Sequence, residues 1–172
     1  MKTKYILTLT AGVIFTGALF SCEKKELYTQ AQAKIDSLQQ EVAGLQKSQS
    51  QTEANKKLVA EFYQELFGDK NPEAIDKYIG DTYIQHNPIL PDGKEPLKQA
   101  VVQWFKGAPK EKIDIHHLSA DGDLVYIHTK ATFGGKVSSI VDIFRLENNK
   151  IVEHWDVIQT VPEKSANPHP MF

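Results

Sequence analysis

Three dipeptides, Asp121-Gly122, Gly134-Gly135 and Asn148-Asn149, set the tightest limit on what this chain can become. Each supplies residues that tolerate positive φ, which the two-residue turns of β-hairpins require. Between these turns the apolar residues alternate with polar ones at a period of two, the mark of strands with one buried face. The alternation predicts strands over 112–120, 123–132, 136–146 and 150–160. Successive hairpins make these a four-strand antiparallel meander, whose apolar face must be covered by something else.

The cover lies upstream, where the period is helical. Leu58, Val59, Phe62, Leu66 and Phe67 recur at steps of three and four, predicting a helix over 53–67 that Gly68 ends. Asn71-Pro72 has the pattern of an N-cap followed by proline in the first turn, opening a short helix to about Tyr78. A third helix is expected over 95–106, with Leu97, Val101, Val102 and Phe105 inward, and a short extended piece over 82–86 precedes it. The expected class is therefore α+β: a cone-shaped, curved antiparallel sheet on three helices. The hollow beneath such a sheet is a natural ligand site.

The region before this domain has a different character. Lys2 and Lys4 precede an apolar run from Tyr5 to Phe20, which reads as an export signal over 1–21. It ends Leu19-Phe20-Ser21-Cys22, similar to a bacterial lipobox, and Cys22 is the single cysteine of the chain. An exported chain with one cysteine has no disulfide to form, so lipidation of Cys22 is the expectation. That would anchor the protein by lipid in the bacterial cell envelope. Residues 22–51 then form a helical stalk or linker. Tyr28, Ala31, Ile35, Leu38, Val42 and Leu45 follow a heptad seam, consistent either with a short coiled coil or with a lone spacer helix. The pocket domain is expected over 52–172.

Composition excludes some partners. The formal net charge is -2 and Arg145 is the single arginine, so no basic surface for nucleic acid is expected. No glycine-rich phosphate loop and no nucleophile elbow occurs, which removes nucleotide-dependent and serine-hydrolase chemistry from consideration.

Four segments carry a family resemblance: Asn55 to Val59, Asp81 to Pro88, Val141 to Arg145 and Lys150 to Ile158. Together they resemble the SnoaL-like, polyketide cyclase-related branch of the nuclear-transport-factor-2-like superfamily, over about residues 54–163. The resemblance implies a cone-shaped fold with a pocket for a small, largely apolar carbonyl compound. It also implies proton-transfer or aldol-type chemistry without a cofactor or metal, and a homodimer formed through the sheet by positions such as Val141, Ile143 and Ile158. The competing reading is a non-catalytic module that binds a small ligand, and a third takes the heptads as primary and the protein as a stalk-mediated assembly component.

Candidate site residues follow from the last hairpin. A two-residue turn at Asn148-Asn149 sets Asp142 opposite Trp155, Phe144 opposite Glu153 and Leu146 opposite Ile151. Asp142, Phe144 and Trp155 then face the hollow, with Asp142 a carboxyl in apolar surroundings or simply a partner for the indole N–H. His154 and Asp156 fall on the other face in that register. A slip of one residue would instead set Asp156 opposite Asp142. The resemblance places His86 and Tyr83 at the pocket mouth and Asp156 near the acid/base aspartate of the cyclases. Asp142, His86 and Asp156 are therefore the catalytic candidates, with Tyr83, His128, His154, Trp155 and Phe144 as ligand contacts. His116 and His117 are adjacent in a strand, so they are expected to point to opposite faces.

Overall fold

A computed structural model describes residues 6–133 and 135–172, with side chains from Lys24 onward apart from Phe133. The Cys22 side chain and the start of the leader lie outside the described residues. The chain divides into two units, Met1–Lys47 and Ser48–Phe172. Helix α1 runs Ile6–Tyr63, so Gln46 to Gln51 continues the helix. In the first unit Leu27, Tyr28, Ile35, Leu38, Val42 and Leu45 are all exposed. Among the described residues no helix is long and apolar enough to cross a membrane.

In the second unit α1 gives way to a π-helical turn, Gln64–Gly68, followed by α2 (Ala74–Tyr78), β1 (Ile79–Gln85) and α3 (Lys94–Trp104). Strands β2 (Asp114–Asp121), β3 (Leu124–Phe133), β4 (Lys136–Glu147) and β5 (Lys150–Thr160) complete the fold. The architecture is α+β as expected, but the sheet is mixed, with five strands in the order β1-β5-β4-β3-β2. β1 pairs parallel to β5. The extended piece near residue 82 is thus an edge strand of the sheet.

The core forms where the helices meet one face of the sheet. Val59, Phe62 and Leu66 from the end of α1, Ile75 and Tyr78 from α2, and Leu97 and Val101 from α3 close on Val125, Ile127, Phe144, Leu146 and Ile151. Phe62 sits edge-on to both Tyr78 and Phe144, at 5.7 and 5.8 Å between ring centroids. Of the inward set expected for α3, Leu97 and Val101 are buried and Phe105 packs against the core, whereas Val102 is 47% exposed.

The last hairpin departs from the simple register. Asn148 and Asn149 both take positive φ, 51° and 59°, as a primed two-residue turn demands. Leu146 pairs with Ile151 as expected, but Arg145 then pairs with Glu153, so Val152 is an extra residue. Beyond this bulge Asp142 lies opposite Asp156, Ile143 opposite Trp155 and Phe144 opposite His154. The expected pairs Asp142–Trp155 and Phe144–Glu153 are corrected accordingly. Ile151 and Val152 are consecutive and both buried, which strict alternation cannot achieve and a bulge can.

A second bulge, at His116, lies between the pairs Ile115–Thr129 and His117–His128. It overturns the expectation that His116 and His117 point apart: both rings approach His128, at 6.2 and 5.2 Å between centroids.

Gly68 ends the π-helical turn where the chain before β2 crosses it, and Glu111 N–H donates to Gly68 O at 2.9 Å. A Cβ on Gly68 would lie 2.7 Å from the Glu111 carbonyl oxygen. Gly68→Ala is therefore expected to destabilise the domain by about 1–3 kcal/mol, read as a lower urea midpoint at unchanged m-value.

Candidate functional site

The bulge at Val152 turns His154 and Asp156 to the same face as Asp142. One ligand-type atom from each of Asp142, His154 and Asp156 lies within 4.8 Å of the other two. Asp142 is 5% exposed and His154 8%, while Asp156 is half-buried. Isolated burial of a carboxyl costs several kcal/mol, and the surroundings compensate. Asp142 Oδ2 accepts from Tyr63 O–H at 2.8 Å, and Asp142 Oδ1 lies 2.9 Å from His154 Nε2. Tyr63 also meets Thr129 Oγ1 at 3.1 Å. Phe144 stacks on the His154 ring at 4.9 Å and holds its plane.

The proton count of this pair follows from its outer partners. Gln85 Oε1 accepts the Asn87 backbone N–H at 2.9 Å, which fixes the amide orientation. The same oxygen faces His154 Nδ1 at 2.9 Å, so Nδ1 carries a proton. His154 Nε2 and Asp142 Oδ1 then hold one further proton between them, as imidazolium–carboxylate or as imidazole–carboxylic acid. Asp142 and His154 are thus a proton-sharing dyad whose tautomer Gln85 dictates.

Asp156 has a different environment. Both of its oxygens accept from Asn87 Nδ2, at 2.9 and 2.7 Å. An amide supports the carboxylate without supplying a proton, so Asp156 is the carboxylate of the site open to a ligand's proton. Tyr83 completes the group. It is 4% exposed and its hydroxyl accepts Gln85 Nε2–H at 3.3 Å, leaving its own proton for a ligand among the described residues. Burial, followed by the charges of Asp142 and Asp156, raises the Tyr83 hydroxyl above its ordinary range, so it remains a donor. The same causes, burial first, keep the Tyr63 hydroxyl protonated.

Other candidates lie elsewhere. His86 belongs to the opposite face: its Nε2 meets Glu153 Oε1 at 2.9 Å and its ring stacks on Trp155 at 4.5 Å. Glu153 also accepts from Arg145 Nε at 2.7 Å. His86 and Trp155 are thus separated by the sheet from Asp142. His128 is on that outer face as well, bonded to Ser139 Oγ at 2.7 Å.

Tyr63, Gln85, Asn87 and Thr129 are members of the cluster that sequence reasoning passed over. A signal existed for two of them. Tyr83 and Gln85 occupy alternate positions of β1 and so share a face, and Asn87 joins them from the bend two residues on, while His86 turns to the other side. The same three acid/base groups could hold a divalent cation once the shared proton leaves, since two carboxylates and an imidazole suit one.

A mixed curved sheet covered by helices is the arrangement of the nuclear-transport-factor-2-like fold, and here an Asp–His–Asp cluster lies on its covered face. The SnoaL-like polyketide cyclase family model matches residues 57–164, and the chain belongs to that family. Solved structures agree on the fold. A putative polyketide cyclase from Acidithiobacillus ferrooxidans is 23% identical with a TM-score of 0.52, covering 61% of this chain and 87% of its own. An LEH-like epoxide hydrolase from M. tuberculosis is 16% identical with a TM-score of 0.51, covering 63% and 85%. An NTF-2 like protein of unknown function from Burkholderia xenovorans is 14% identical with a TM-score of 0.53, covering 66% and 89%. No curated protein matches the chain significantly in sequence.

Two outcomes are expected. Gln85→Leu removes the acceptor of His154 Nδ1–H, so nitrogen-15 NMR should show a protected Nδ1-bound proton in the parent and its loss or fast exchange in the variant. The buried donor left behind costs about 1–3 kcal/mol of stability. Separately, hydrogen bonds from His86 and then Arg145 hold the Glu153 carboxyl below its ordinary value of 4.5. Because the folded value is the lower one, Glu153 contributes stability above pH 4.5 that is lost as pH falls through the folded value. Glu153→Gln should flatten that part of the acid limb in a pH series of thermal melts.

Proposed function

We propose that this protein binds a small, largely apolar carbonyl compound under the sheet and catalyses proton transfer next to the carbonyl, as isomerisation or an aldol-type step. The observation that carries the reading is the convergence of Asp142, His154 and Asp156 within 4.8 Å on the covered face, with one proton shared in the dyad and one carboxylate free of it. Asp156 takes the proton from the carbon next to the carbonyl and becomes a carboxylic acid. Negative charge moves to the carbonyl oxygen, where the Tyr83 O–H donates a hydrogen bond. The Asp142–His154 dyad has no net charge in either position of its shared proton, so it adds no negative charge beside the enolate. Return of the proton from Asp156 to a different carbon completes an isomerisation. Attack of the enolate on a second carbonyl, with Asp156 returning its proton to the alkoxide that forms, completes an aldol-type step. Neither route needs a cofactor.

The role of His86 as a partner of Asp142 is dropped from this reading, since the sheet separates them. An apolar ligand is supported by the buried Phe62, Phe144 and Ile140 on the same side of the sheet. We also propose that the domain is held at the bacterial envelope by lipid on Cys22, on the strength of the basic and apolar leader that precedes this single cysteine.

A thermal-shift screen of small carbonyl and polycyclic compounds, followed by turnover assays on each hit, tests the proposal. Asp156→Asn should retain binding while losing about 10²–10⁴-fold in turnover. Binding without conversion in the parent protein would assign the domain to ligand carriage instead. Turnover unchanged in Asp156→Asn would refute the assignment of the base.

A further inference from the structure

The outer face of β2, β3 and β4 carries a second cluster that the proposed chemistry does not use. The bulge at His116 brings both histidines of the His116-His117 pair toward His128. The His117 and His128 rings lie 8° from parallel, and their Nδ1 atoms are 3.0 Å apart. Ser139 Oγ donates its proton to the Met171 carbonyl at 3.3 Å, so it accepts at 2.7 Å from His128 Nε2–H. His128 Nδ1 is consequently a bare lone pair aimed at His117. His116 Nε2 lies 3.2 Å from Asp114 Oδ2, which leaves its Nδ1 as the ring nitrogen without a carboxylate. A hydroxyl behind one imidazole and a carboxylate behind another are the outer contacts that orient metal-bound histidines and set their tautomers.

We propose that His116, His117 and His128 form a binding site for a transition-metal dication of the zinc type. Two imidazole nitrogens on a tetrahedral zinc, at about 2.0–2.1 Å from the metal, lie roughly 3.3 Å apart. The His117–His128 pair reaches that spacing by opening a few tenths of an ångström. The His116 ring, 6.2 Å from that of His128, moves in by about an ångström through side-chain rotation on the exposed face. His117 gives up its Nδ1–H and carries its proton on Nε2 instead, so the neutral pair binds the metal with no net proton change. An all-imidazole ligand set favours zinc, copper or nickel over magnesium or calcium. Three protein ligands leave a fourth position for water or an external ligand. The site is separate from the Asp142 cluster, because His128 and Thr129 are neighbours on β3 and face opposite sides of the sheet.

The test is calorimetric titration of the full, untagged chain with Zn2+ in the presence of excess Mg2+. One Zn2+ per chain is expected at the histidine cluster, because the proton shared by Asp142 and His154 keeps the other cluster closed to the cation. His117→Gln and His128→Gln should each weaken binding at least tenfold, and Asp114→Asn by a few-fold. His117 is exposed, so its variant keeps the fold and carries the test if His128→Gln does not. Asp142→Asn should leave the affinity unchanged. Absence of saturable Zn2+ binding, unchanged affinity in His117→Gln, or binding lost in Asp142→Asn would each overturn the proposal.

Discussion

Val152 has no partner on β4, and that one unpaired residue governs which side chains of β5 meet Asp142 under the sheet. With it, Ile151 and Val152 both reach the core and every residue beyond them reverses its face relative to a regular hairpin. His154 and Asp156 turn under the sheet, while Glu153 and Trp155 turn outward. The apolar gain of burying two consecutive residues and the placement of the acid/base groups are one event. β1 follows the same irregularity: Gly80 lets Val152 approach closely, with its Cγ1 only 3.0 Å from where a Cβ would stand.

Burying two carboxyls and an imidazole beneath a sheet is costly, and the cost is offset locally. Tyr63 comes from the end of α1, Gln85 and Asn87 from β1 and the loop after it, and Thr129 from β3. Each supplies hydrogen bonds to a group that β4 and β5 present. Among the described residues no buried side-chain polar atom lacks a partner. The polar network therefore ties the helical layer to the sheet alongside Phe62 and Leu66, and it fixes a proton on His154 Nδ1 in the process.

Much of the fold was legible in the sequence. The strands stand within a residue or two of where periodicity put them, with Asn148-Asn149 as the last turn and the first turn one residue later, at Gly122-Asp123, because backbone conformation at Gly and Asn is a local property. The family resemblance was legible too, since it rests on short segments in order. The faces of β5 and of His116-His117 were not. Each depended on a bulge, and a bulge is a compromise between alternation and what two neighbouring strands can bury together. His86 was favoured for its chemistry and its place in the resembled fold, while simple alternation from Tyr83 pointed to Gln85 and Asn87.

The sequence by itself determined the class of domain, the order of its elements and the residue types available for acid/base work. It did so because turn chemistry, helical periodicity and strand alternation act within a few residues of one another. Only the tertiary structure decided which of those residues meet. Pairing across β4 and β5, and contact between Gln85 and His154, join positions far apart in the chain. The face each strand presents there is set by the best burial the whole sheet can achieve.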